Sequence, residues 1–343
     1  MFKRISCLAM STVLLLGVFV QQVTALEGLA ALEQQLSESE DIIVTDELAL
    51  ESERADQPQD ADAEEPVDLE QGKAGEKTET TDVPDTETEE PVDPEVQTES
   101  PEGPFVLVDG TVVTDAAPFT YEQTTYVSLR GVAMALRPDA AVTWENGHAV
   151  VTAEGLSVTV YPEKSYLVAN GRYLYLPHGV LFENNSTMLP VRVVAQVFDA
   201  QVQWNAQDGN IYLTSGSGAI LSGDEYYDAD ALCWMSRIIY AESGNQPLTG
   251  KIGVGNVILN RVKNPLFPNT IYDVIFQKNQ FTPVGNGSVY TQPNAESIIA
   301  AKLCLDGAVV LPNALWFNRA GTNSWAARNK SYIATIGAHS FYA

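Results

Sequence analysis

Asp228-Ala-Asp-Ala-Leu-Cys-Trp-Met-Ser-Arg-Ile-Ile-Tyr-Ala-Glu-Ser-Gly244 decides how the C-terminal third of this chain folds. Leu232, Met235, Ile238 and Ile239 recur at i, i+3, i+6 and i+7, the period of one buried helical face. The spacing predicts a helix over 228–243, with Gly244 as its C-cap and Pro247 restarting the chain. Glu242 falls four residues after Ile238, so the pattern puts an ionisable group on the buried edge. It also puts that group at the helix C-terminus, where the macrodipole disfavours negative charge. Desolvation and dipole both raise a carboxyl pKa, the condition a general acid needs near neutral pH. Periodicity alone fits a solvated glutamate at a fraying helix end equally well.

Downstream, 248–263 reads as a second helix ended by Asn264-Pro265. Gly253 and Gly255 lower its helicity and so point to close packing against a neighbour. A short helix is expected over 271–276 with Thr270 as N-cap, and another over 295–306 stopped by Gly307. Residues 314–318 and 332–336 read as strands. The reading is an α+β domain of lysozyme-like size over 226–343, mainly helical with a minor sheet.

The remainder of the 343 residues divides by composition. Lys3 and Arg4, an apolar run over 5–20 and the small residues Val23-Thr24-Ala25 form a signal peptide pattern over 1–25, so the mature protein is expected outside the cytoplasm. Export leaves Cys233 and Cys304, which can form a disulfide in an oxidising compartment; two buried free thiols fit as well. Residues 26–103 hold 27 acidic and 3 basic side chains and no aromatic, the composition of a disordered acidic spacer. The formal charge of −26 therefore belongs to one segment, and residues 226–343 carry a balance of +3. Neither a nucleic acid partner nor membrane insertion after signal cleavage is expected.

From Phe105 the chain turns to short β-branched runs, beginning with a hairpin at Asp109-Gly110. Residues 125–136, Thr-Tyr-Val-Ser-Leu-Arg-Gly-Val-Ala-Met-Ala-Leu, then return as Thr-Met-Leu-Pro-Val-Arg-Val-Val-Ala-Gln-Val-Phe at 187–198, and Val142-Thr-Trp144 is answered by Val202-Gln-Trp204. One such unit cannot cover its own apolar face, so two are expected to build a small α+β stalk domain over 104–215. With its Leu129-Arg130 and Val191-Arg192 helix starts and its two tryptophans, this segment resembles the copper amine oxidase N-terminal-like domain. The resemblance implies a spacer or attachment role and brings no copper with it. Ser215 to Gly223 reads as a Ser/Gly linker, giving a linker over 216–225.

The C-terminal domain resembles the SleB/CwlJ family of cell wall hydrolases. The match is carried by Arg237-Ile-Ile-Tyr-Ala-Glu242, the 250–262 run, Gln280-Phe281-Thr282, Leu315-Trp-Phe-Asn318 and Thr335-Ile-Gly-Ala-His-Ser-Phe-Tyr342. It implies a lysozyme-like fold, peptidoglycan glycan strands as substrate, and Glu242 as catalytic acid. Gln280, Phe281, Thr282, Asn318, Tyr332 and His339 are the substrate-binding candidates. Ordinary glycosidases use two carboxyls, yet only Asp273, Glu296 and Asp306 follow Glu242. Their settings offer no second catalytic group, and the resemblance implies a wall-associated lytic transglycosylase that closes a 1,6-anhydro ring on muramic acid. No metal or cofactor is expected, since the three histidines are scattered and no His-Glu-x-x-His run occurs. The stalk stands where spore cortex enzymes of this type often carry a peptidoglycan-binding repeat, so wall remodelling fits better than germination. The competing reading is a non-catalytic wall-binding or surface stalk protein that retains the fold.

Overall fold

The computed structural model describes residues 103–343. The expected signal peptide, acidic spacer and Cys7 lie outside the described residues.

In the first part, β1 (Val106–Val108) and β2 (Thr111–Val112) form the hairpin across Asp109-Gly110, both at positive φ. β3 (Phe119–Tyr121) and β4 (Thr124–Ser128) lead into helix α1 (Leu129–Leu136), where the Ser128 hydroxyl accepts the Gly131 amide at 3.2 Å as N-cap. A five-stranded antiparallel meander follows: β5 (Ala141–Glu145), β6 (His148–Ala153), β7 (Leu156–Val160), β8 (Tyr166–Ala169) and β9 (Arg172–Tyr175). The second copy of the repeat supplies β10 (Leu181–Glu183), β11 (Ser186–Pro190), α2 (Val191–Val197), β12 (Gln201–Trp204) and β13 (Ile211–Thr214). Equivalent strands of the two copies pair antiparallel, Val127 opposite Leu189, so each covers the apolar face the other leaves open. Parallel pairing of β13 with β1 joins the end of the module to its beginning.

The Ser/Gly segment is not a loose linker. Ile220 at its centre is buried in the core of the first module. Arg137 donates to the Gly218 carbonyl at 2.9 Å, and the Gly223 amide donates to Asn170 at 2.8 Å. An apolar side chain amid serines and glycines found a hydrophobic site, and burial outweighed the flexibility of its neighbours. The chain then enters α3 (Gly223–Tyr226), closed by a capping box between Ser222 and Glu225.

The C-terminal part holds α4 (Ala229–Ser243), α5 (Leu248–Lys263), α6 (Ile271–Ile275), α7 (Thr282–Asn286), α8 (Ala295–Leu305) and α9 (Trp325–Asn329). Three strands, β14 (Trp316–Arg319), β15 (Tyr332–Ile336) and β16 (His339–Tyr342), pair antiparallel in the order β14-β16-β15. The protein is thus mixed helix and sheet. Helix α5 is buried along most of its length because α4, α6, α8 and the sheet all pack on it. Its glycines make the room: a Cβ on Gly253 would stand 3.0 Å from Leu311 and Phe341, and one on Gly255 2.5 Å from the Cys304 sulfur. The bridge expected between Cys233 and Cys304 is absent. Cys304 is a free thiol in the core, its Sγ 3.6 Å from the Ile252 carbonyl, and burial pushes its pKa up. Cys233, next to the inward-facing Trp234, sits at a half-buried position of α4.

The two parts are bonded to each other. Arg172 of β9 forms an ion pair with Asp306 at the end of α8, with side-chain exposures of 6% and 1%. Its Nε lies 3.0 Å from Asp306 Oδ1, and its guanidinium stacks 3.3 Å over the Tyr226 ring. Tyr227 donates its hydroxyl to Asp306, and Tyr166 and Tyr173 of the meander join the C-terminal core.

Candidate active site

Helix α4 begins at Asp228, whose carboxylate accepts the Ala231 amide at 2.8 Å. Trp234, Met235, Ile238 and Ile239 point into the core and fix the rotation of the helix. Glu242 follows in its last turn, partly buried. Burial raises its carboxyl to about 7, with no ion pair or hydrogen bond offsetting the desolvation. At neutral pH such a group holds its proton about half the time and can give and take it within one cycle.

The other carboxylates of this part are engaged elsewhere. Asp273 accepts the Thr270 hydroxyl at 2.6 Å, Glu296 pairs with the buried Lys251, and Asp306 is held by Arg172 and Tyr227. Asp228 and Asp230 lie at the far end of α4, roughly 21 and 18 Å of helix rise from Glu242.

Two residues after Glu242 the chain turns through Gly244, Asn245 and Gln246 into α5. Gln246 pins this turn to the sheet: its Oε1 accepts the Ala338 amide at 2.7 Å, and its backbone carbonyl accepts Lys251 Nζ at 2.6 Å. Gly337 adopts a φ of +56° between β15 and β16, where a Cβ would collide with Gln246 Oε1. The hairpin carrying His339 is thereby tethered beside the end of α4. Gln246 escaped the sequence reading, since a lone loop amide gives no sign of a partner 92 residues away.

Strand pairing divides the substrate-binding candidates. Phe317, Phe341 and His339 share the face of the sheet turned to α5, the His339 ring 5.3 Å from that of Phe317. Phe281, buried, packs on Phe317 at 6.4 Å. His339 Nδ1 is buried without a hydrogen-bond partner, and burial lowers the pKa of the ring. Gln280 accepts the buried Arg261 guanidinium at 3.3 Å, and Thr282 is exposed at the start of α7. Asn318 and Tyr332 lie on the opposite face, in register with Ser340 and Tyr342 of β16. Asn318 Oδ1 accepts the Ser324 hydroxyl at 2.6 Å, and Tyr332 is 61% exposed. The six residues therefore do not form one cluster. Among the described residues no group of three or more metal-ligating side chains occurs.

An acid of raised pKa at a helix end is a group that can serve as a general acid near neutral pH. Residues 245–342 match the Cell Wall Hydrolase family, a match that begins three residues after Glu242, and residues 107–213 match the Copper amine oxidase N-terminal domain. The C-terminal part of this chain is a cell wall hydrolase domain of SleB type, preceded by a copper amine oxidase N-terminal-like domain. Its curated relatives are spore cortex-lytic enzymes. That of Oceanobacillus iheyensis is 30% identical over 144 residues, 42% of this chain and 52% of the relative. That of Bacillus cereus is 34% identical over 117 residues, 34% of this chain and 45% of the relative. The chain thus spans about half the length of the curated relatives it matches. Among solved structures, the catalytic domain of the germination-specific lytic transglycosylase SleB from Bacillus anthracis is 33% identical, with 34% of this chain and 97% of that one covered at a TM-score of 0.32.

Proposed function

We propose that this protein is an exported, wall-associated enzyme that cleaves peptidoglycan between N-acetylmuramic acid and N-acetylglucosamine, acting as a lytic transglycosylase through a lysozyme-like domain over 226–343. The observation that carries the reading is Glu242: one carboxyl, raised to about 7 by burial, with every other carboxylate of the domain bonded elsewhere or at the far end of α4. Protonated Glu242 gives its proton to the glycosidic oxygen. The bond to muramic C1 breaks and an oxocarbenium-like centre develops there. Glu242, now a carboxylate, removes the proton of the same sugar's C6 hydroxyl, whose oxygen bonds to C1 and closes the 1,6-anhydro ring. The proton returns to Glu242 and no water is consumed. His339, Phe281, Gln280 and Thr282 are assigned to substrate contacts. The homology to spore cortex-lytic enzymes supports the substrate class.

Digestion of purified peptidoglycan followed by mass spectrometry tests the reaction. Anhydromuramic ends are expected, and reducing hydrated ends alone would overturn the transglycosylase. Glu242→Gln should lower the rate by roughly 10²–10⁴-fold, the worth of a general acid. Undiminished clearing of cell walls by that variant would overturn the assignment of Glu242, and a wild type that clears no walls would return the domain to a wall-binding role.

A further inference from the structure

Away from Glu242, the outer face of the small sheet carries an aromatic surface that cleavage does not use. Half-buried Trp316 stands opposite Tyr342, and Tyr342, itself buried, opposite exposed Tyr332, so the three rings cross β14, β16 and β15 in one row that opens to solvent at Tyr332. Trp325, 56% exposed, lies 6.3 Å from Trp316. Lys330 Nζ sits 3.9 Å from the Trp316 ring centre and 5.4 Å from that of Trp325, bracing both indoles. Phe267 is 6.0 Å from Trp316 and lines a concavity of about 500 Å³ with Lys263, Asn264, Pro268 and Asn269. This concavity is at the C-terminal end of α5, whereas the turn after Glu242 adjoins its N-terminal end, about 24 Å of helix away.

Charge and chemistry select an occupant. Residues 307–343 hold Arg319, Arg328 and Lys330 but no aspartate or glutamate, and residues 243–272 have no acid either. The surface is therefore cationic around its rings. Exposed indole and phenol faces offer flat apolar area with a polar edge. Thr335, exposed on the same face, sets a hydroxyl beside the rings, its Oγ1 2.8 Å from the Oγ of buried Ser340. Flat rings beside hydrogen-bonding groups suit pyranose sugars, and lysines suit the carboxylates of stem peptides.

We propose that this face binds a second stretch of peptidoglycan glycan strand, with sugar rings on Trp325 and Tyr332 and stem carboxylates near Lys263 and Lys330. The inference rests on the cleavage reading for the identity of the polymer. It turns the domain into one that holds the wall at one place while cutting at another.

The test is co-sedimentation of the full chain, carrying Glu242→Gln to prevent digestion, with purified sacculi stripped of teichoic acid. Adding Trp325→Ala should weaken binding roughly 2- to 13-fold, the range for one aromatic contact. Trp325→Phe should restore most of it, and Lys330→Ala should weaken binding more at low salt than at high. In the otherwise wild-type enzyme, Trp325→Ala should slow digestion of sacculi but leave turnover of short soluble glycan fragments unchanged. Equal binding with and without Trp325 would overturn the proposal. So would binding that vanishes once teichoic acid is removed, which assigns the face to a phosphate polymer. Failure of the cleavage reading shows separately, as sacculi left undigested by the wild-type chain.

Discussion

Glu242 is governed by one physical effect, the cost of placing a carboxylate where water is scarce. Its folded-state pKa of about 7 stands above the value of 4.5 for a free glutamate. The charged form is thus disfavoured by folding. Below pH 4.5 both states are protonated; between 4.5 and 7 the unfolded chain ionises while the folded one keeps its proton, so stability falls as pH rises. Glu242→Gln should abolish this slope and leave the variant about 3 kcal/mol more stable than wild type at pH 8, with no difference near pH 4. Thermal melting across that range checks it. The same titration shapes the reaction: cleavage needs the protonated acid, so kcat/KM should decline as pH rises through about 7. This residue was legible in the sequence as a position and a motif. Its lack of an ion-pair partner was not, because that depends on where Lys251, Arg172 and Tyr227 direct the remaining carboxylates.

At the scale of elements, helix α5 shows how local and tertiary demands trade. Its bounds follow from Pro247 and Asn264-Pro265, and the structure begins and ends it at Leu248 and Lys263, as the sequence spacing predicts. Two internal glycines cost helicity, but they let Cys304, Leu311 and Phe341 approach the backbone. Gly255→Ala should destabilise the protein by about 1–3 kcal/mol, since its Cβ would stand 2.5 Å from the Cys304 sulfur. Gly285→Ala in α7, where nothing lies within 4 Å, should be neutral or stabilising by up to about 1 kcal/mol. Chemical denaturation of the two variants separates close packing from helix propensity. Strand β16 escaped the sequence reading because His339 to Tyr342 lacks a clear alternation. Its partners β14 and β15, together with the Gln246 contact, make it a strand.

At the largest scale described, the pair of Arg172 and Asp306 bonds the first module to the hydrolase domain. Burial raises the pKa of Asp306, and the bonds from Arg172 and Tyr227 oppose that shift. Removing one partner of such a buried pair leaves the other uncompensated. Arg172→Ala should therefore cost about 3–5 kcal/mol. Calorimetry should show the single transition of the wild type lowered or split in two, and limited proteolysis should gain cleavage within residues 215–227. A flexible tether between the modules predicts no change in either measurement.

The sequence by itself determined four helices of the C-terminal domain, though not the short ones at 282–286 and 325–329, the twofold repeat before it, the family of both and the candidate acid. Each of these is written in local periodicity, caps or short motifs, which act over a few residues. Tertiary structure decided what depends on contacts between distant residues: the free thiol of Cys304, the packing of Ile220 into the first module, and the anchoring of the β15–β16 turn by Gln246. It also decided the sorting of Phe281 and His339 from Asn318 and Tyr332, because a strand's two faces acquire different neighbours only when the sheet packs on a helix. Local pattern fixes which way a side chain can point, and packing alone fixes what it meets there.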